Sequence, residues 1–453
     1  MTTLPFSPLD EAIYHIEGAL DPLNIQVEVG TTQTIDVDRL RDAAVTACNA
    51  HPLARVRRRP SRSTDVEYVW QVPDDVGDVP VGVVDDGDLT TARSDFYSRS
   101  FDLTREPPVR LLVARGAGRR GGDRLLVCVG HVPIDGVGAV RIARSICQAY
   151  RGETPDADPV DIETSRVALT DVRSSTLTGR MDVLRSAAKR LGDIVDSPTA
   201  IAEDGVPSGD GWGFTERALS TDLTDRLVSN RPDNVSVNDV LLAALHRTIA
   251  DWNDDHGKPA HKITVMMPIN VRPRDGFYDV VGMYALMKQI ETRSRDRRDP
   301  QTTVETIVDQ TTAVREDGEL TALYEALETI LPRLPVGLKN QLPHLVRAVS
   351  NRLMVTAALS NLGRLPESLS LSGESGDSLW FSPPCKKALP VGIGVATTDG
   401  TVRFVFRYTL EQFDADAAER FADCYLAHIE EVTSALQPAA TGFTAERVHV
   451  AER

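Results

Sequence analysis

No apolar run in this 453-residue sequence approaches the length of about 20 residues that a bilayer-crossing helix needs, so no transmembrane segment is expected. The opening MTTLPFSPLDEAIYH lacks a basic start followed by an apolar core; no secretory signal is read there, and a cytoplasmic protein is expected. Positive charge is also short. The 50 Lys and Arg against 66 Asp and Glu leave a net charge of −16 and a pI near 5.1. That balance argues against nucleic acid or an anionic membrane as the main partner, because phosphate binding needs a basic surface. Cysteine is sparse and odd in number: Cys48, Cys128, Cys147, Cys385 and Cys424 stand far apart, most in apolar settings. Buried free thiols in a reducing compartment are expected, and with no C-x-x-C or Cys/His pairing, no metal. A glycine-rich phosphate loop and internal repeats are absent too.

Most of the basic residues are Arg rather than Lys, while acidic pairs recur at Asp74-Asp75, Asp85-Asp86 and Asp254-Asp255. Two explanations stand at this point. A host with a salty cytoplasm favours a hydrated, carboxylate-rich surface; a GC-rich genome explains the Arg excess without the acidity.

The length exceeds what one core usually supports, and 41% hydrophobic residues are enough to fill two. Strand-like segments at 25–29, 54–58, 67–71 and 125–129 alternate with helical spacing at 36–50 and 137–150. Polar residues then dominate to about 210, apart from a helical patch at 181–195. Beyond it come a strand at 213–219, a helix at 237–251, a strand at 263–268, helices at 302–315 and 320–331, and an apolar stretch at 342–359. A hairpin at 392–397 and 402–408 turns at Asp399-Gly400, and a last helix covers 414–436. The expected class is α/β or α+β, with an N-terminal lobe at 1–175, a connector at 176–211 and a C-terminal lobe at 212–453; a monomer is expected.

The segment His131-Val132-Pro133-Ile134-Asp135-Gly136 sits where the strand at 125–129 gives way to a helix. A histidine at such a corner can face a cleft and move a proton near neutral pH, so His131 is the candidate general base. Asp135 and Gly136 also suit an ordinary turn and helix start. A satisfied histidine in a strand-turn-helix corner is the competing reading.

In this setting His131-x-x-x-Asp135-Gly136 resembles the active-site motif of the chloramphenicol acetyltransferase-like superfamily. That group includes thioester-dependent acyltransferases, condensation domains of peptide synthetases, polyketide-associated acyltransferases and wax ester/diacylglycerol acyltransferases. Phe6-Ser7-Pro8-Leu9-Asp10 is similar to the start of several members, and Leu40 to Val56, ending His51-Pro52-Leu53-Ala54-Arg55-Val56, to their first helix and next strand. Further on, Val237-Asn238-Asp239-Val240-Leu241-Leu242-Ala243 is similar to a helix start of the wax ester type. Met267-Pro268-Ile269-Asn270-Val271-Arg272-Pro273 and Val281-Gly282-Met283-Tyr284 resemble a strand pair of the second lobe, and Ser360-Asn361-Leu362-Gly363 a channel-lining segment. One departure stands out: many members carry two adjacent histidines, and here Gly130 holds the first place.

The resemblance implies two lobes, each a mixed sheet with helices, with a channel between them. It implies an acyltransferase that takes an acyl group from coenzyme A or a carrier-bound phosphopantetheine, as co-substrate rather than tightly bound cofactor, to an alcohol or amine. Condensation of two carrier-bound groups, with an acyl carrier protein as partner, and a silent scaffold of the same shape are the alternatives. It also implies His131 as base and Asp135 as a loop brace held by an arginine, for which Arg272 is the candidate, with Gly136 at the turn. Ser360 and Asn361 are candidate oxyanion or channel residues, with a plain turn as the equal alternative. Asn238 is expected to cap the helix beginning at Asp239. The polar loop Gly373-Glu374-Ser375-Gly376-Asp377-Ser378 lacks hydrolase spacing, the run Arg55, Arg57, Arg58 and Arg59 reads as a strand edge, and His246 and His428 read as helix residues.

Overall fold

The computed structural model describes residues 2–19, 21–85, 89–167, 196–207, 209–272, 279–316, 334–344, 355–365, 369–373, 378–385 and 389–436. The helical segments expected at 181–195 and 320–331 lie outside the described residues, as does most of the connector.

Two mixed sheets organise two lobes. The first lobe holds β2 (Asn24–Gly30), β5 (Val81–Val84), β6 (Val109–Ala114), β7 (Arg124–Gly130) and β12 (Ser378–Ser382), in the order β12-β2-β7-β6-β5. Helices α1 (Pro8–Ala19), α2 (Val37–Ala50), α3 (Leu89–Ser98) and α4 (Gly136–Arg151) belong with it. A small sheet, β1 (Thr2–Pro5) with β4 (Val69–Val72) and β3 (Arg57–Arg58), flanks them. The strand expected at 54–58 is mostly a 3-10 turn, Pro52–Arg55: proline at its start presets φ for a helical turn and leaves only two residues to pair with β4.

The second lobe is a six-stranded sheet, β10-β9-β11-β13-β14-β8. Its strands are β8 (Trp212–Ala218), β9 (Lys262–Asn270), β10 (Ala285–Arg293), β11 (Ala357–Arg364), β13 (Val391–Thr398) and β14 (Thr401–Thr409). Helices α5 (Thr221–Ser229), α6 (Val237–Asp255), α7 (Pro300–Glu316) and α8 (Ala415–Ala435) complete it. The β13-β14 turn places Asp399 at φ 49° and Gly400 at φ 70°, the left-handed pair that a two-residue hairpin requires. The Asn238 cap reading is corrected: α6 begins at Val237, and Ser236 caps it in a reciprocal box with Asp239. Asn238, the second residue of the helix, instead turns its amide to Met267 Sδ at 2.5 Å.

Side-chain alternation explains how the lobes meet. On β2, Ile25, Val27 and Val29 enter the core under α4, so Asn24, Gln26 and Glu28 take the opposite face. All three polar residues are nonetheless buried, because β12, supplied from far along the chain, pairs with β2 and the second lobe covers that face. Glu28 is fully enclosed. Arg93 Nη2 bridges Glu28 at 2.7 Å and Glu216 of β8 at 2.9 Å; Arg124 Nη1 bridges the same two carboxylates at 3.1 and 3.2 Å. Burial alone would raise the Glu28 pKa, but the two guanidinium groups outweigh it and hold the carboxylate below its ordinary range.

Candidate active site at the lobe junction

β7 ends at Gly130, and the chain turns through His131 to Asp135 before α4 begins. The corner is built from backbone partners: His131 N–H donates to Leu23 O at 3.1 Å, and Asp135 N–H to Gly282 O at 2.9 Å. His131 is 3% exposed, and its Nδ1 lies 2.9 Å from Ile134 O. A carbonyl can only accept, so Nδ1 carries the proton and Nε2 keeps its lone pair in the neutral ring. Nε2 has no hydrogen-bond partner among the described residues, and it is not sealed among the unpartnered buried atoms. Burial depresses the His131 pKa; the Ile134 carbonyl and the Asp135 carboxylate oppose that without reversing it. The imidazole therefore stays an unprotonated acceptor through neutral pH.

Asp135 does three things at once. It caps α4 by accepting from Gly138 N–H at 3.0 Å, takes Tyr284 N–H at 2.9 Å, and receives Arg272 in a two-pronged pair at 2.6 and 2.8 Å. Arg272 also donates to Val280 O at 3.1 Å and packs over the Tyr284 ring at 4.7 Å. Both side chains are about 2% exposed. Arg272 follows β9 of the second lobe, so this ion pair locks one lobe to the corner of the other. A side chain at Gly136 would press on Leu362 and Phe381, its Cβ lying 3.2 Å from Leu362 Cδ2 and 3.3 Å from Phe381 Cζ.

That approach brings the end of β11 beside the motif. Ser360 is buried on β11, and Asn361 turns its Oδ1 back to Gly363 N–H at 2.8 Å, so the turn reading describes that oxygen. Gly130 gains a physical account: a Cβ there would lie 3.2 Å from Phe101 Cδ2 and 3.4 Å from Pro108 Cβ. Phe101, held under the Arg110 guanidinium at 4.2 Å, occupies the side where a first histidine would start.

A second constellation was not legible in the sequence. His51 Nδ1 lies 2.6 Å from Asp158 Oδ1, and Nε2 lies 2.8 Å from Ser145 Oγ on α4, the connectivity of a hydrolase triad. His51 and Ser145 are fully buried, so no substrate reaches the hydroxyl. The chain is a brace: Asp158 Oδ1 also takes Val281 N–H at 3.4 Å, in the segment that cradles Asp135. His51-Pro52 signalled only a break, and nothing in the spacing ties 51, 145 and 158 together.

Several of the remaining candidates are already engaged. Arg55 and Arg57 are spent on backbone carbonyls, including Pro73 O at 2.8 Å and Arg105 O at 3.1 Å. His246 is buried against Thr292 Oγ1 at 2.7 Å, and burial pushes its pKa down to about 3. Among the described residues there is no His/Cys/Asp/Glu group able to hold a metal and no helix long and apolar enough to cross a membrane. The described cysteines are all free thiols.

No protein-family model matches the sequence. A whole-length relative does: the uncharacterized protein Rv2305 of Mycobacterium tuberculosis is 31% identical over 429 residues, covering 93% of this chain and 98% of that protein. The chain belongs to the Rv2305 family. A 312-residue stretch, 64% of the chain, is 27% identical to 4% of a probable non-canonical nonribosomal peptide synthetase, CymA, of Salinispora arenicola. The starter condensation domain of rhizomide synthetase RzmA, solved as a mutant in complex with C8-CoA, superposes with a TM-score of 0.64 at 15% identity over 96% of each chain. This member of the Rv2305 family therefore has the two-lobed chloramphenicol acetyltransferase-like fold of condensation domains.

Proposed function

We propose that the chain is an acyltransferase that moves an acyl group from a thioester to an alcohol or amine, with His131 as general base. The observation that carries this reading is the fixed tautomer of His131. Its Nδ1–H is tied to Ile134 O, which leaves Nε2 as the basic nitrogen at the junction of the two lobes. In the reaction, Nε2 takes the proton from the acceptor O–H or N–H as the heteroatom attacks the thioester carbonyl. The C–S bond then breaks, and the departing thiolate takes the proton back from the imidazolium. Asp135 and Arg272 touch no reacting atom in this scheme; they hold the corner. Ser360 on β11 is the side chain proposed to donate toward the developing oxyanion.

The donor is coenzyme A or the phosphopantetheine of an acyl carrier protein. Support for thioester chemistry comes from the fold, shared with a condensation domain that binds C8-CoA. The carrier-dependent alternative rests on the likeness to part of CymA, a probable peptide synthetase. Thiol release from a panel of acyl-CoAs and carrier-bound thioesters, with alcohol and amine acceptors, tests both. Histidine-dependent release is expected with one donor class, and release that is unchanged in His131→Ala, or absent with every donor, overturns the reading.

A further inference from the structure

The face of the second sheet turned toward β2 carries Arg403, Val405 and Arg407 in one row of β14. At its outer end lies a cavity of about 190 Å³ lined by Glu216, Trp380 and Arg403 among others. Arg407 stands at the inner end. It is 1% exposed, and it forms no hydrogen bond or ion pair with any described residue; Nε and Nη1 are sealed with no partner. Its guanidinium rests on the Trp212 ring at 4.0 Å, which offsets part of the loss of hydration and satisfies none of its N–H groups.

Its surroundings are polar. Gly392 pairs with Arg407 across the strand, and the Cys385 thiol fills the space a Cβ at Gly392 would take. From the first lobe, Cys128 feels the Arg407 charge. Gln26, which pairs with Cys128 and with Ser382, is fully buried with both its amide oxygen and nitrogen unpartnered. The Asp21 carboxylate is among the charges that act on Arg407. The neighbouring Arg110 donates from its Nη atoms to the carbonyls of Phe96, Arg99 and Ser100, and its Nε has no partner.

A buried charge with a rigid fork of free donors is a cost unless something fills it. We propose that Arg407, with Gln26, holds a carboxylate of the substrate in the seam between the lobes. A carboxylate matches the planar guanidinium fork in a two-pronged pair. Cys128 lies on β7 three residues before His131, so this part of the seam is within roughly 10 Å of backbone from the base. This inference rests on the transferase reading for its word "substrate", but its test does not.

The test is equilibrium binding to the full chain of succinate, glutarate and adipate against their diamides, and of succinyl-CoA against butyryl-CoA. In at least one of these pairings the carboxylate form is expected to bind about tenfold or more tightly. Arg407→Met should abolish that preference, Arg407→Lys should keep part of it, and the ligand-free methionine variant should melt no lower than the wild type. Preference among the free acids alone places the carboxylate on the acceptor; preference between the thioesters places it on the donor. Equal binding in every pairing, or a preference that survives Arg407→Met, overturns the proposal. If carboxylate binding depends on Arg407 but no donor gives thiol release, the transferase reading falls and the site stands.

Discussion

His131 and His428 are the same side chain in opposite environments. At His131, one ring nitrogen faces a carbonyl and the other faces no described partner, while burial favours the neutral ring. At His428, Nδ1 faces Cys424 O at 3.0 Å and Nε2 faces Asp251 Oδ2 at 2.9 Å. Both of those oxygens are acceptors, so protonating both nitrogens satisfies both contacts and favours the imidazolium. Burial pulls against it, but Asp251 and Cys424 carry its pKa up to about 10. One histidine is kept ready to take a proton and the other is kept from giving one up. The difference lies in the partners of the two ring nitrogens, which neighbouring residues in sequence do not announce.

The sharpest way to break the comparison is His131→Ala. Turnover should fall by about 10²- to 10⁴-fold, while stability changes by about 1 kcal/mol, the usual worth of the lost Ile134 hydrogen bond. Steady-state thiol release beside a urea melt separates the two effects. Equal loss in both would make His131 a structural histidine like His246.

Asp135→Asn should invert that pattern. It leaves the Arg272 charge buried with a weakened partner, and breaking such a pair costs about 3–5 kcal/mol. The midpoint of denaturant unfolding should drop markedly, and activity should fall with the disordered corner. If Asp135→Asn were as stable as wild type while inactive, the carboxylate would have a chemical part instead.

A subtler separation comes from pH. Since burial depresses the His131 pKa, the acid limb of kcat/KM should lie below the ordinary imidazole value of about 6.5. An acid limb at or above that value would show that the ring is solvated during turnover.

Much of this frame is legible in the residues. The apolar run at 125–129, the glycine and aspartate at the corner and the helical spacing after it lead to β7 and α4 almost to the residue. Asp399-Gly400 marks its hairpin because only a left-handed pair closes that turn. What escapes is non-local. β12 is a five-residue strand beside a polar loop, and its partner β2 lies some 350 positions earlier, so no local period signals the pairing. α3 is a mostly polar helix whose buried Arg93 and Tyr97 make sense only once Glu28 is seen behind them. Gly130 reads in sequence as a missing histidine, and only the fold brings Phe101, 29 residues upstream, into that space. Arg407 sits in an ordinary strand pattern, and its isolation is a property of the assembled seam.

The smallest effect belongs to His428, and its sign is the informative part. The folded pKa is raised to about 10 against about 6.5 in the unfolded chain. Between those values the folded state binds the extra proton, so the contribution is complete below about pH 6.5 and is lost as pH rises toward 10. The ring contacts the half-exposed Asp251, and Glu431 lies 3.9 Å away in an ion pair with Arg247, so solvent screening limits the gain to about 1 kcal/mol or less. The stability difference between wild type and His428→Gln should therefore be largest at pH 5 to 6 and shrink toward pH 10. His246, pushed down to about 3 by burial and by Arg297, slopes the other way: its neutral ring supports the fold above about pH 6.5, and that support is lost as pH falls toward 3. A difference for His428→Gln that grew with pH would mean a neutral ring, and the contrast with His131 would vanish.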